Sequence, residues 1–300
     1  MPGMPETTRE RADRRPEVVA LVANPESGSS SPEAFAAWLS GHGTRVASFP
    51  IDEVERAAAS GVDRLVVAGG DGSLAPAAAA AARAGLALAV IPAGTANDFA
   101  RGLGLPAHPA EACRLAALGT RERPLDLGWL EDSSHPPRPF LNVASAGLPA
   151  PAARRAASWK RPLGPLAYVA GALVAGLTER PLACRVECGG RTLHEGDAWQ
   201  VTVACSGSFG AGAELEEADP ADGSLDVVAV AAGARPRLAS IALRLRRGDL
   251  SGHRLATHAA CHTAAVDAPP GTEFNVDGDL VAAGSARFRV SPAAFRLIVP

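Results

Sequence analysis

The sequence predicts an α/β domain built on a parallel sheet, followed by a second, mainly antiparallel β domain of sandwich type. Three observations carry this. Up to about Ile91, short runs that are apolar throughout alternate with helical patterns, as in a parallel sheet covered on both faces. Near residue 122 the pattern changes to runs in which apolar and polar residues alternate around glycine turns. The chain has 300 residues, 47% hydrophobic and 20% charged, enough apolar material for two cores at ordinary globular composition.

In the first half, Val18–Ala23 is an apolar run that ends in Asn24-Pro-Glu-Ser-Gly-Ser-Ser-Ser. Pro32 then opens a helical pattern to Ser40, proline being favoured in a first turn. A strand near Arg45–Ser48 precedes a helix over Asp52–Ala59. Leu65–Ala68 is the third strand, cut off by Gly69-Gly70-Asp71-Gly72-Ser73, and an alanine-rich helix runs from Leu74 to Ala84. Leu86–Ile91 is the fourth strand, followed by Pro92-Ala-Gly94-Thr95-Ala-Asn97-Asp98-Phe99.

In the second half, Leu125–Leu130 and Phe140–Ala144 read as strands. Cys184, Val186 and Cys188 alternate with Arg185 and Glu187, Gly189-Gly190 makes a hairpin turn, and Trp199, Val201, Val203 and Cys205 alternate in turn. Leu225–Val230, Ala259–Val266, Phe274–Val276, Phe288–Val290 and Phe295–Val299 complete the strands, and Gly164–Leu177 and Arg235–Arg247 are helical patterns. The reading divides the chain into a disordered tail (1–15), an α/β domain (16–123 with 287–300) and a β-sandwich (124–286), with the linker around Gly119–Pro124.

Composition excludes several classes. Of 29 basic residues only Lys160 is a lysine, and Ser-Trp-Lys-Arg-Pro is not the setting of a P-loop or protein-kinase lysine. A net charge of −3 gives no global attraction to nucleic acid. Five cysteines without a CxxC pair argue against a disulfide framework or structural zinc and for a reducing cytosol. Asn142–Gly147 lacks the first glycine of a nucleophile elbow. His258, Cys261 and His262 read as part of a strand, and Cys184 and Cys188 as core.

Three polar, glycine-bearing loops follow the first, third and fourth strands, the edge where parallel sheets bind ligands. Glycine lets backbone approach a phosphate, and the next helix offers free N–H groups and a favourable dipole. A carboxylate in such a loop, Asp71, would repel phosphate unless a Mg²⁺ lies between them, carboxylates being suited to hard cations. The plainer alternative is a tight turn in which Asp71 or Ser73 caps the helix. The first loop adds Asn24, Ser27 and Gly28, and the third adds Gly94, Thr95, Asn97 and a second carboxylate, Asp98. Together they point to a nucleotide with its metal.

These residues resemble a known family. Asn24-Pro-x-Ser-Gly, Gly69-Gly-Asp-Gly-Ser and Pro92-x-Gly-Thr-x-Asn-Asp-Phe-Ala-Arg101-x-Leu-Gly resemble the diacylglycerol kinase catalytic domain, in particular the soluble bacterial lipid kinases of the YegS and DgkB type. Asn142-Val-Ala-Ser-Ala-Gly147, Leu163-Gly-Pro-Leu-Ala-Tyr168, Asp219-Pro-Ala-Asp222-Gly-Ser-Leu-Asp226 and Asn275-Val-Asp277-Gly-Asp279 resemble its later motifs, in order, so that the likeness spans residues 18–299.

The resemblance implies a first domain like that of NAD kinases and 6-phosphofructokinases and a β-sandwich second domain. It implies ATP as co-substrate, with Gly69, Gly70, Asp71, Gly72, Ser73 and Thr95 at nucleotide-binding positions and Asp71 and Asp98 linked to a catalytic Mg²⁺. Asp222 matches a structural Mg²⁺ site completed by main-chain oxygens at Asp219 and Ser224. The family's Asp-Gly-Glu, which supplies the base, matches Asp277-Gly278-Asp279, with both acids eligible. Departures are Ser29-Ser-Ser where the family has a basic residue, no clear match near Phe49 for its threonine, Pro149 at a usually less rigid position, Asp279 for glutamate and Ser73 for threonine.

The implied activity is transfer of the γ-phosphoryl group of ATP to a lipid hydroxyl, with diacylglycerol as leading substrate and phosphatidic acid as product. An NAD kinase-like enzyme and a lipid-binding regulator without catalysis are the alternatives. The expected setting is cytoplasmic, with access to lipid at the inner membrane surface. Pro162–Thr178 falls short of the about 20 residues a spanning helix needs, and Arg154, Arg155, Lys160 and Arg161 before it give a basic-then-apolar order suited to an anionic interface. Arg244, Arg246 and Arg247 read as a solvated helix face. The sequence names no oligomeric state.

Overall fold

The computed structural model describes residues 15–23, 31–148, 150–151, 178–209, 213–214, 218–235 and 254–300. The chain divides into two compact units, residues 1–125 with 293–300 and residues 126–292. The tail over 1–14, the helical pattern Gly164–Leu177, the basic residues 154–161 and the pattern beyond Arg235 lie outside the described residues.

In the first unit, β1 (Val18–Ala23), β2 (Arg45–Pro50), β3 (Arg64–Gly69) and β4 (Ala87–Pro92) form a parallel sheet in the order β2–β1–β3–β4. Arg296 and Leu297, near the end of the chain, add a further parallel pairing beside β4. β3 and β4 are buried at every position, which is why they read as unbroken apolar runs. The helices are α1 (Pro32–Ser40), α2 (Val54–Ala58), α3 (Asp71–Ala84), α4 (Asp98–Gly102) and α5 (Pro109–Leu118). Ser31 caps α1 by accepting from the Ala34 N–H, with Pro32 in the first turn. Phe35 and Leu39 of α1 and Cys113, Ala116 and Ala117 of α5 pack with Leu21, Val66 and Ile91 of the sheet.

Several element readings are corrected. The helix expected over Asp52–Ala59 is a 3₁₀ turn, Ile51–Glu53, followed by only Val54–Ala58. α3 starts three residues earlier than Leu74, because Asp71, Gly72 and Ser73 already wind into its first turn. It ends at Gly85, whose φ of 65° places it in the left-handed region. α4 and α5 are additions. α4 departs from a left-handed Asn97, a start with no periodic signal, whereas α5 had one in Pro109 and the buried Ala112, Cys113, Ala116 and Ala117.

Arg64 ties the sheet to α5. Its guanidinium donates to the carbonyls of Ala116 (2.5 Å) and Gly119 (2.8 Å) at the end of that helix, and burial lowers its pKa to about 10, so it stays charged at neutral pH. Arg64→Met should keep the stem and orphan both carbonyls, at a cost of about 1–3 kcal/mol. The check is the denaturant midpoint, and an unchanged midpoint would remove this strut.

In the second unit, entered through β5 (Glu122–Glu131), the strands are β6 (Arg138–Phe140), β7 (Val143–Gly147), β8 (Leu182–Cys188), β9 (Arg191–Ala204), β10 (Ser208–Phe209), β11 (Ala213–Glu214), β12 (Leu225–Ala231), β13 (Ala256–Cys261), β14 (Thr263–Asp267), β15 (Glu273–Val276), β16 (Asp279–Ala282) and the first part of β17 (Ala286–Ile298), whose residues from Ala293 onward belong to the first unit. β9 is the spine, pairing antiparallel with β8, β7 and β12. Val201 and Val203 face one core with Phe140, Phe274 and Phe288, whereas Trp199, skipped by the register shift opposite Val230 and Ala231 and so out of step with them, joins Ala204 in another core with Val228 and Val230. This is the expected mainly antiparallel β-sandwich.

Three readings change here. Phe140–Ala144 is two strands, because Leu141 and Asn142 leave the ladder and turn their N–H groups to Asp277. Ala259–Val266 is also two strands, parted at His262, whose Nδ1 lies 2.7 Å from the Gly223 carbonyl oxygen. Cys188, a core residue, and Cys261, a strand residue, as read, also form one disulfide across 73 residues of sequence, which the reading against a disulfide framework did not foresee. Cys113, Cys184 and Cys205 are free and buried.

Candidate active site

Two loops at the carboxyl edge of the parallel sheet lock onto each other. A Cβ built on Gly94 would lie 2.5 Å from the Gly70 Cα, and one on Gly70 would lie 3.1 Å from the Gly94 Cα. The glycines are required by backbone contact between the loops. The Ala93 N–H donates to the Gly69 carbonyl (3.0 Å). Asn97, at φ 51°, a conformation asparagine tolerates, brackets Gly94, accepting its N–H (2.9 Å) and donating to its carbonyl (2.9 Å).

Asp71 links the same two loops. Its carboxylate accepts from the Asp98 N–H (3.2 Å) and the Phe99 N–H (3.0 Å), which ties it to the start of α4. The alternative in which Asp71 or Ser73 caps α3 is corrected, because both residues lie within the helix. Gly70 is the N-cap, without a side-chain cap bond. A glycine N-cap leaves the entry to α3 free of its own cap side chain, and a helix N-terminus of this kind suits phosphate oxygens. Asp98 is buried and pairs with Arg101, which also donates to the Ala96 carbonyl (3.1 Å). Thr95 is exposed. Gly69, Gly70, Asp71, Gly72, Ser73, Gly94, Thr95, Asn97 and Asp98 thus share one sheet edge, while Asn24, Ser27 and Gly28 lie outside the described residues.

In the second unit, Asp277 and Gly278 have φ of 48° and 100° and turn β15 into β16, as an Asp-Gly hairpin requires. The two acids diverge. Asp277 accepts three backbone N–H groups, from Leu141 (2.7 Å), Asn142 (3.0 Å) and Val143 (3.0 Å), and returns its own N–H to the Val143 carbonyl (3.0 Å). Asp279 stands out from the turn with its side chain 57% exposed, 2.5 Å from Arg138.

The Asp219–Ser224 loop is folded by its own acids, Asp219 accepting the Ala221 N–H (3.0 Å) and Asp222 the Ser224 N–H (2.8 Å). Around it lie contacts that the sequence reading did not give. Asp126, buried in β5, accepts the Gly223 N–H (2.6 Å). Asp226, also buried, meets His258 Nε2 at 2.7 Å, and His262 holds the Gly223 carbonyl. Burial, opposed by the Ser224 N–H and reinforced by Asp226, Asp126 and Asp219, pushes the Asp222 carboxyl up from its usual value. Burial, and then the charges of Asp126, Asp277 and Asp222, push the buried Cys205 thiol up. Oxygen donors under mutual repulsion suit a hard cation, although among the described residues no three His, Cys, Asp or Glu side chains converge as a ready metal site. Asp126 carried no signal of its own, being one acid in a strand, and Asp226 entered the sequence reading only as the end of the Asp219–Asp226 motif.

Comparison with known proteins agrees with this geometry. Residues 18–130 match the diacylglycerol kinase catalytic domain and residues 142–299 the YegS C-terminal NAD kinase beta sandwich-like domain. The chain is 35% identical over 254 residues to a "Probable lipid kinase YegS-like" of Pseudomonas putida, covering 82% of this chain and 80% of that one. It is 30% identical over 253 residues to a "Diacylglycerol kinase" of Mycobacterium tuberculosis, covering 81% and 79%. A diacylglycerol kinase structure from Bacillus anthracis superposes with a TM-score of 0.76 at 22% identity, over 96% of this chain and 98% of that one. An NAD kinase from Archaeoglobus fulgidus shares the fold at a TM-score of 0.51 and 13% identity, over 94% and 93% of the two chains. Glycine loops on a parallel sheet edge, a β-sandwich with an Asp-Gly-Asp turn and these matches over both units converge: the chain belongs to the diacylglycerol kinase catalytic-domain family, as a lipid kinase of the YegS type.

Proposed function

We propose that the chain transfers the γ-phosphoryl group of ATP to a lipid hydroxyl, with diacylglycerol as acceptor and phosphatidic acid as product. The observation that carries this is the interlocking of the Gly69–Ser73 and Gly94–Asp98 loops, which joins the first turn of α3 to the start of α4 through Asp71 and keeps the Asp71 and Asp98 carboxylates at that edge. The α3 amides receive phosphate oxygens. Asp279 takes the proton of the attacking hydroxyl as its oxygen bonds to the γ-phosphorus and the bond to the β-phosphate oxygen breaks, releasing ADP. Asp277, committed to three amides, frames the turn.

Mg²⁺ supplies charge neutralisation at the phosphates when bound. Asp71 and Asp98 are the residues that would hold it there, and Asp222, with main-chain oxygens at Asp219 and Ser224, would hold a second ion. No helix among the described residues is long and apolar enough to cross a membrane, and the proposed setting is the cytoplasmic membrane surface, where a lipid acceptor is met.

The test is labelled ATP over a panel of diacylglycerol, monoacylglycerol, phosphatidylglycerol, sphingosine, ceramide and undecaprenol, with NAD alongside. Label in phosphatidic acid is expected. Label in NAD, or in no acceptor, would overturn the reading.

A measurement on Asp222 tests its cation separately. With its folded pKa raised, the ionised carboxylate opposes folding, an effect that sets in as pH rises above the unfolded value of 3.8 and is full above the folded one. At neutral pH, Mg²⁺ should raise the wild-type thermal midpoint and chelator should lower it again. Asp222→Asn should respond to neither. Equal insensitivity in both proteins would remove the site.

A further inference from the structure

We propose that Arg138 is a positioning residue for Asp279, holding its carboxylate where it meets the acceptor hydroxyl. The inference rests on the reading of Asp279 as the base. Arg138 Nη2 lies 2.5 Å from Asp279 Oδ2, a charge-assisted contact.

The contact is not an isolated surface pair. Residues 138–143 grip both acids of the turn at once, the Arg138 side chain on Asp279 and the backbone N–H groups of Leu141, Asn142 and Val143 on Asp277. The gripping segment is itself anchored. β6 pairs with β5 through Arg138 and Leu130, Pro139 and Trp129, and Phe140 and Gly128. The Phe140 ring is fully buried and fills the space a Gly128 side chain would need, a Cβ there lying 2.4 Å from its Cζ.

Stability does not explain the pair. The side chains are 40% and 57% exposed, and exposed ion pairs contribute only about 0–1 kcal/mol. What the pair does fix is direction. Asp279 follows two left-handed residues in a tight turn, and the guanidinium holds an otherwise solvent-swept carboxylate in one place. The same exposure leaves the second carboxylate oxygen within reach of an acceptor from solution or a membrane surface.

The experiment uses the full chain, ATP and the panel lipid that turns over fastest, with Arg138→Met, Arg138→Lys, Asp279→Asn and the Arg138→Met/Asp279→Asn double variant. Misplacing a base by about 1 Å costs on the order of 10²-fold, so Arg138→Met should lower kcat roughly 10- to 100-fold, with KM for ATP and the thermal midpoint unchanged. Arg138→Lys should recover part of the loss. The double variant should be no slower than Asp279→Asn alone, because the two act as a unit. Full kcat in Arg138→Met, losses that multiply in the double variant, or a loss tracking a lower midpoint without rescue by lysine would overturn the proposal. Wild-type turnover in Asp279→Asn would instead overturn the base assignment, and this inference with it.

Discussion

Asp279→Asn should lose turnover by about 10²–10⁴, the usual worth of a placed general base, while binding ATP and melting as the wild type does. Asparagine keeps the size of the side chain and removes its basic oxygen. Its amide can still meet solvent at a position 57% exposed, so the fold has little reason to notice. Asp277→Asn should behave in the opposite way. Two carboxylate oxygens there serve three N–H donors, and an asparagine must turn its NH₂ group toward at least one of them. A donor facing a donor leaves a part-buried N–H unsatisfied, at about 1–3 kcal/mol. The expected result is a lowered thermal midpoint, with turnover reduced only as far as the turn loosens. Paired measurements of kcat and midpoint on the two variants separate the roles. A stable, inactive Asp277→Asn beside an active Asp279→Asn would reverse them.

The sequence brings the two acids to one turn but leaves their roles open, and the physical reason is local. Residues two apart on a strand point the same way, yet the left-handed φ at Asp277 and Gly278 breaks that periodicity. Only the amides of residues 141–143, some 135 positions away, show which acid is committed. The same limit applies to Asp126, which reads as one acid in an apolar strand until its Gly223 contact is seen. It also applies to Cys188 and Cys261, whose pairing across 73 residues depends on where β8 and β13 meet. What was legible came from periodicity and from order of motifs. β3 and β4 are buried on both faces and therefore uniformly apolar. The alternation Val201–Val203–Cys205 marks β9, whereas Trp199, which the pattern places in step with them, lies in the other core beyond a register shift that no periodicity announces. Where a side chain bonds to backbone far away in sequence, as Asp71 does with Asp98 and Phe99, its chemical type is readable and its partner is not.

Gly94→Ala tests whether contact between the two loops makes the nucleotide site. The new Cβ would lie 2.5 Å from the Gly70 Cα, 3.2 Å from the Gly70 N and 3.0 Å from Asn97 Oδ1. The first two are backbone atoms and cannot swing aside as a flexible side chain would. Nor is strain at Gly94 itself the issue, because it is absent from the residues with positive φ. One loop must move, and the Asn97 bracket and the Asp71 bonds to α4 stand in the path of that movement. Overpacking of this kind costs about 1–3 kcal/mol, and at about 1.4 kcal/mol per tenfold in affinity the displaced α3 amides should weaken ATP binding by roughly tenfold or more. The thermal midpoint should fall as well. Gly70→Ala, with its nearest contact at 3.1 Å, should show a smaller loss. Gly41→Ala serves as the control, since its Cβ would meet nothing closer than 3.3 Å in a right-handed helical conformation. ATP affinity measured by calorimetry should therefore fall in the order Gly41→Ala, Gly70→Ala, Gly94→Ala. If Gly94→Ala bound ATP as tightly as the Gly41→Ala control, the close approach of these loops would have no part in holding the nucleotide.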